Sequence, residues 1–123
     1  MDKLLIVDDQ SDIRKLMRIT LGKRYDLLEA EDAASAWQLI RHEHPRGVIL
    51  DVMMPGEMDG YQLCAKIRQD PSLRNTYVAL VTARGQAADI EYGKAVGADD
   101  YFVKPYSPLE LLRAIERRLS ERS

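Results

Sequence analysis

Leu4-Leu5-Ile6-Val7-Asp8-Asp9 is the stretch on which the fold turns: a continuous apolar run that stops on two carboxylates. A half-exposed strand would alternate apolar with polar residues, so an unbroken run predicts a strand buried on both faces, as in a parallel sheet. The same pattern returns at Val48-Ile49-Leu50-Asp51 and, with different end groups, at Tyr77 to Val81 followed by Thr82 and at Tyr101-Phe102-Val103 followed by Lys104-Pro105. A shorter strand is predicted over Tyr25 to Glu29.

Helical spacing fills the gaps. After Ser11, a candidate N-cap, Ile13, Leu16, Met17, Thr20 and Leu21 repeat at helical intervals up to Gly22. Ala33, Ala36, Trp37 and Ile40 mark one face of a second helix that stops before Pro45, and Gly60 to Gln69 reads as a third, ended by Asp70-Pro71. Gln86 to Val96 is the fourth, stopped at Gly97. The fifth starts at Ser107 with Pro108 in its first turn, and Leu109, Leu112, Ile115 and Leu119 are expected to face inward. Five β-α units in strict alternation predict right-handed crossovers and a parallel sheet with helices on both faces, a doubly wound α/β three-layer sandwich.

The 123 residues fit one domain, 1–123, and five units use nearly all of them. With 46% hydrophobic residues a core needs no disulfides, and the single Cys64 excludes an internal disulfide or a thiolate zinc cluster. A net charge of −2 and a pI near 5.7 give no basic field for nucleic acid or anionic lipid. Lys3 leads straight into the first strand, whose apolar run is too short for a signal-peptide core or a membrane span. The expectation is a soluble cytoplasmic protein without direct nucleic-acid or membrane contacts.

In an open parallel sheet all strand carboxyl ends share one edge, where ligands bind at the switch in strand order. Asp8, Asp9, Asp51, Thr82 and Lys104 therefore converge. If the first and third strands are neighbours, three carboxylates crowd together, and like charges that close stay ionised only when a cation joins them. An all-oxygen donor set favours a hard divalent ion, Mg²⁺ best, because it accepts few carboxylates, keeps waters and completes its shell with phosphate oxygens. With Mg²⁺ the cleft approaches a net charge of about 0, which tolerates an acyl phosphate on Asp51. A carboxylate is a competent nucleophile for phosphoryl transfer, and Lys104, Thr82 and the ion could spread the charge.

Asp8-Asp9, Asp51-Val52-Met53-Met54-Pro55, Met58-Asp59-Gly60, Thr82-Ala83 and Gly97-Ala98-Asp99-Asp100-Tyr101-Phe102-Val103-Lys104-Pro105 together resemble the response-regulator receiver domain, essentially from Lys3 to the last helix. The resemblance implies a flavodoxin-like strand order 2-1-3-4-5. It also implies Asp51 as phosphoacceptor from a histidine kinase or histidine phosphotransfer protein. Asp9 and Asp51 would ligate Mg²⁺ (Mn²⁺ as an alternative), with Asp8 acting through water and the Met53 backbone carbonyl completing the set. Lys104 would bond the phosphoryl group and precede a cis peptide at Pro105. Thr82 and Tyr101 would form the switch pair, and Met53 and Arg84 would tune hydrolysis. Output would pass to a protein target through the face of the fourth helix, fifth strand and fifth helix, with a phosphorylation-dependent homodimer as one option. One departure is a loop after the acceptor that is longer than the family's usual one: Gly56 and Glu57 separate Pro55 from Met58.

Other readings compete residue by residue. Asp8-Asp9 alone could serve a helix start, Thr82 could cap the next turn, and Tyr101 could be plain core. His42 and His44, two residues apart, suit solvent better than a shared metal; Cys64 and Trp37 read as packing. Arg113, Arg117, Arg118 and Arg122 read as a solvated helix face. A Mg²⁺-dependent aspartyl-phosphate phosphatase of haloacid-dehalogenase type needs a second aspartate two residues after the first, where Met53 stands. A flavodoxin-type binder needs an uncharged phosphate loop where Asp8-Asp9-Gln10-Ser11-Asp12 is acidic, and no P-loop or dinucleotide glycine pattern is present.

Overall fold

The computed structural model describes residues 1–122. Strands β1 (Lys3–Val7), β2 (Asp26–Ala30), β3 (Gly47–Asp51), β4 (Tyr77–Thr82) and β5 (Asp100–Val103) alternate with helices α1 (Ser11–Leu21), α2 (Ala33–Glu43), α3 (Gly60–Gln69), α4 (Ala87–Ala95) and α5 (Pro108–Glu121). A short 3₁₀ turn, Pro71–Leu73, joins α3 to β4. All four strand pairings are parallel, and the order is β2-β1-β3-β4-β5. The doubly wound, flavodoxin-like α/β sandwich is thus present. The register that pairs Val7 with Leu50 and Asp51 with Val81 sets the ends of β1, β3 and β4 side by side.

Pleating sends alternate residues of the buried strands to opposite sides. Leu5, Val7, Val48, Leu50, Val78 and Leu80 meet α2 and α3 through Ala36, Ile40, Leu63, Cys64 and Ile67. Leu4, Ile6, Ile49, Ala79 and Val81 meet α1 and α5 through Met17, Leu21, Leu111, Ile115 and Leu119. At about 1.5–3 kcal/mol for each large apolar side chain buried, these two layers dominate the favourable side of folding. Helix α4 differs from the rest: of its nine residues only Gly93 is buried.

Three expectations need correction. Ser11 is the first helical residue rather than the cap, which is Gln10 without a side-chain bond; Gln10 N–H instead reaches back to the Asp8 carboxylate at 2.9 Å. In α1 and α5 the apolar stripe is out of phase with the sheet in places. Leu16 and Leu109 are about half exposed, and Leu111 and Ala114 take the inward positions. Strand β2 begins one residue later than predicted, because the Asp26 amide bonds the Asp2 carbonyl and extends the β1 ladder.

Candidate functional site

The carboxyl edge of the sheet gathers the predicted acids. Asp8 follows β1 and Asp51 ends β3; both are buried, whereas Asp9 is exposed. One carboxylate oxygen from each lies within 4.8 Å of the others, the only such cluster of metal-ligating groups among the described residues. Lys104 Nζ, half-buried, stands 3.5 Å from Asp51 Oδ2 and 3.8 Å from Asp8 Oδ2. The other oxygens of the two buried acids are oriented by main-chain donors, Gln10 N–H to Asp8 and Met53 N–H to Asp51 at 3.1 Å.

These partners do not compensate for burial. Desolvation is the main force raising the Asp8 carboxyl above the ordinary range; Gln10 N–H and Lys104 oppose it, and the charges of Asp51 and Asp9 reinforce it. Asp51 is raised in the same way, by burial first, against Lys104 and the Met53 amide. Tyr106 senses the same charge: burial, then Asp8 and Asp51, push its hydroxyl up to about 12. One lysine for three acids leaves a negative deficit that a hard divalent cation would fill, so the donor set fits Mg²⁺.

Neighbouring elements hold the site in place. Gly60 opens α3 against the acceptor strand, its N–H bonding the Val52 carbonyl at 3.0 Å, and a Cβ there would collide with the Asp51 carbonyl. The helix start is fixed by a capping box in which Asp59 accepts from the Gln62 amide and Gln62 from the Asp59 amide. Arg14 grips the Asp8 carbonyl at 2.7 Å and Glu29 at 3.0 Å. The inserted residues form an exposed turn with Gly56 at positive φ. They line a cavity of about 470 Å³ between the start of α2 and this loop, to whose lining Asp8, Asp9 and Asp51 do not contribute.

Thr82 is fully buried at the end of β4, and its hydroxyl accepts from the Arg84 amide at 3.1 Å. Tyr101 is half-buried, with its hydroxyl donating to the Arg84 carbonyl at 3.0 Å. Met53 and Arg84 have exposed side chains, and the Lys104–Pro105 peptide is cis. His42 and His44 are exposed. Cys64 is buried and its thiol is pushed up to about 11 by burial. Trp37 packs half-buried with Lys66 over its ring at 5.0 Å.

Sequence reasoning missed several of these residues. The Asp59-x-x-Gln62 spacing was a readable capping signal, but nothing local marks Arg14 or Tyr106. The arginines of α5 also divide: Arg118 and Arg122 are not a solvated face but pair with Asp100 and Asp99 at the start of β5.

The doubly wound sheet thus collects three carboxylates, a lysine and a buried threonine on its carboxyl edge. The family model described as the response regulator receiver domain matches residues 4–116, and the chain belongs to that family, a module of two-component signalling. It is 42% identical over 98% of its length to a probable transcriptional regulator, ycf27, of Galdieria sulphuraria. It is 34% identical over 96% to the transcriptional regulatory protein SrrA of Staphylococcus aureus. The chain spans about half the length of these curated relatives, 47% and 48%. Among solved structures, a putative response regulator from Chloroflexus aurantiacus superposes with a TM-score of 0.90 at 34% identity, covering 97% of this chain and 98% of that one. The BeF3-activated receiver domain of DrrB gives 0.89 at 30%, covering 98% of each. No helix among the described residues is long and apolar enough to cross a membrane.

Proposed function

We propose that residues 1–123 act as one receiver module in which Asp51 accepts a phosphoryl group from a histidine kinase or histidine phosphotransfer protein. The observation that carries this reading is the buried Asp51 carboxylate, 3.5 Å from Lys104 and clustered with two further acids that remain under-neutralised. Asp8, Asp9, Asp51 and the Met53 carbonyl would hold Mg²⁺, or Mn²⁺ in its place. When bound, the cation neutralises charge on the phosphoryl oxygens during in-line transfer. Asp51 supplies the attacking oxygen, and its phosphorus–oxygen bond forms as the donor's bond to phosphorus breaks. Lys104 then pairs with the phosphoryl oxygens, and Thr82 leaves the Arg84 amide and donates its hydroxyl proton to one of them. Met53 and Arg84, both exposed, would tune hydrolysis by screening the attacking water.

Movement of Thr82 is felt by the Arg84 segment and hence by Tyr101, which lies between it and α4. The face of α4, β5 and α5 is the output surface, read by a protein target or by a second copy of the chain rather than by nucleic acid, and the setting is the cytoplasm. Moving such a switch from about 1:99 to 99:1 takes roughly 5.5 kcal/mol, within reach of a few charge-assisted bonds. The test is incubation with acetyl phosphate and Mg²⁺ followed by intact mass measurement. Wild type is expected to gain one phosphoryl mass, and retention of that gain by Asp51→Asn overturns the assignment.

A further inference from the structure

Tyr101 has a second partner besides Arg84. The hydroxyl of Tyr61, the second residue of α3, lies 2.8 Å from the Tyr101 hydroxyl and 3.3 Å from the Asp89 carbonyl in the first turn of α4. The Tyr61 ring is buried and meets Tyr92 of α4 edge to face at 4.7 Å. The Tyr101 ring lies over Gly93, the one buried residue of α4, so closely that a Cβ there would stand 2.6 Å from it. Helix α4 is therefore seated mainly on two tyrosine rings whose hydroxyls bond each other.

Each hydroxyl has one proton, so the set closes in two ways. Either Tyr101 donates to Arg84 and Tyr61 to Tyr101, or Tyr101 donates to Tyr61 and Tyr61 to Asp89. In both, Tyr101 stays bonded in place against α4. Tyr61 is itself anchored beside the acceptor, because the preceding Gly60 is jammed against the Asp51–Val52 backbone.

We infer that Tyr61 is a positioning residue for the switch: its hydroxyl holds Tyr101 inward against Gly93, so the α4-β5-α5 face depends on α3 as well as on Thr82. This rests on the switch assigned to Thr82 and Tyr101 above. It adds a route from the acceptor through α3 that does not pass through Thr82.

The test labels the protein with 3-fluorotyrosine and follows the Tyr101 ¹⁹F resonance, assigned with Tyr101→Phe, without any phosphodonor. Tyr61→Phe keeps the ring and its contact with Tyr92 but removes the hydroxyl. The Tyr101 resonance is expected to move toward the solvent-exposed position, or to split, with about a fivefold fall in the inward-to-outward ratio, the worth of one hydrogen bond. A purely structural role would lower the melting temperature without moving that resonance, and an unmoved Tyr101 signal in Tyr61→Phe overturns the inference. Acetyl phosphate and Mg²⁺ form a second arm with mass as its readout. A wild type that gains no mass refutes the phosphoacceptor reading alone, whereas a mass gain with an unmoved Tyr101 in Tyr61→Phe refutes the positioning role alone.

Discussion

Two acid clusters at opposite ends of the sheet show what an aspartate is for when its neighbours differ. At the amino-terminal end of β5, Asp99 accepts from the Val78 amide at 2.9 Å and Arg68 at 2.7 Å and also pairs with Arg122. Asp100 accepts from the Tyr77 hydroxyl at 2.8 Å and from Arg118 at 3.1 Å. Three arginines serve two acids, all within hydrogen-bond distance. At the carboxyl edge one lysine stands among three acids, 3.5 and 3.8 Å from the two buried ones, and both of those are raised by burial. The first cluster is electrostatically closed and ties α3, β4, β5 and α5 together. The second is left open, and its deficit is what the proposed cation would fill.

The contrast breaks most sharply on chemistry. Asp51→Asn is expected to abolish phosphorylation by acetyl phosphate, whereas Asp99→Asn and Asp100→Asn should still be phosphorylated, as intact mass would show. Next comes metal affinity. Asp9→Ala should weaken Mg²⁺ binding at least about tenfold by calorimetry, since it deletes a ligand, while Asp99→Asn should leave it within about twofold. Equal losses for the two variants would erase the distinction between the clusters.

Stability should reverse the ranking. Asp99→Asn leaves two arginines and a main-chain amide competing for a neutral acceptor in a half-buried place. The cost is about 2 kcal/mol, or a fall of about 8 °C in Tm. Asp51→Asn in metal-free protein should instead raise Tm, because the charge it removes is poorly solvated. Paired thermal melts in EDTA would check the opposite signs.

That asymmetry also marks where the sequence was readable. The carboxyl-edge acids sit at the ends of unbroken apolar strands, and parallel topology alone makes such ends converge, so Asp8, Asp9, Asp51, Thr82 and Lys104 were legible as a group. Helix α3 was legible to its bounds because Gly60 and Asp70-Pro71 are local signals. The closed cluster was not. Arginines near a helix end satisfy the helix dipole in any context, and only the packing of α5 across the start of β5 turns Arg118 and Arg122 inward. Leu109 was misread for a related reason: helical spacing gives the width of an apolar stripe but not the phase at which the sheet meets it. Tyr61 looks like ordinary core along its own helix, since the hydroxyl it bonds is 40 residues away.

The smallest effect is a pH dependence of the open cluster. An acid whose folded pKa is raised favours its protonated form. Its contribution to stability is complete below the ordinary value near 3.8 and is lost as pH rises through the raised value. Asp8 and Asp51 therefore weaken the metal-free fold progressively on going from pH 4 toward neutrality. Asp32 and Asp70 are lowered by hydrogen bonds from Ser35 and Ser72, so their changes fall below 3.8, outside that window. The Tm advantage of Asp51→Asn over wild type in EDTA should accordingly grow between pH 4 and pH 7, by less than the Asp99→Asn loss. Mg²⁺ should shrink it at pH 7, because the cation supplies the charge that Lys104 alone does not. An advantage that stays flat with pH, or that Mg²⁺ leaves untouched, would mean that the open cluster is already balanced within the protein.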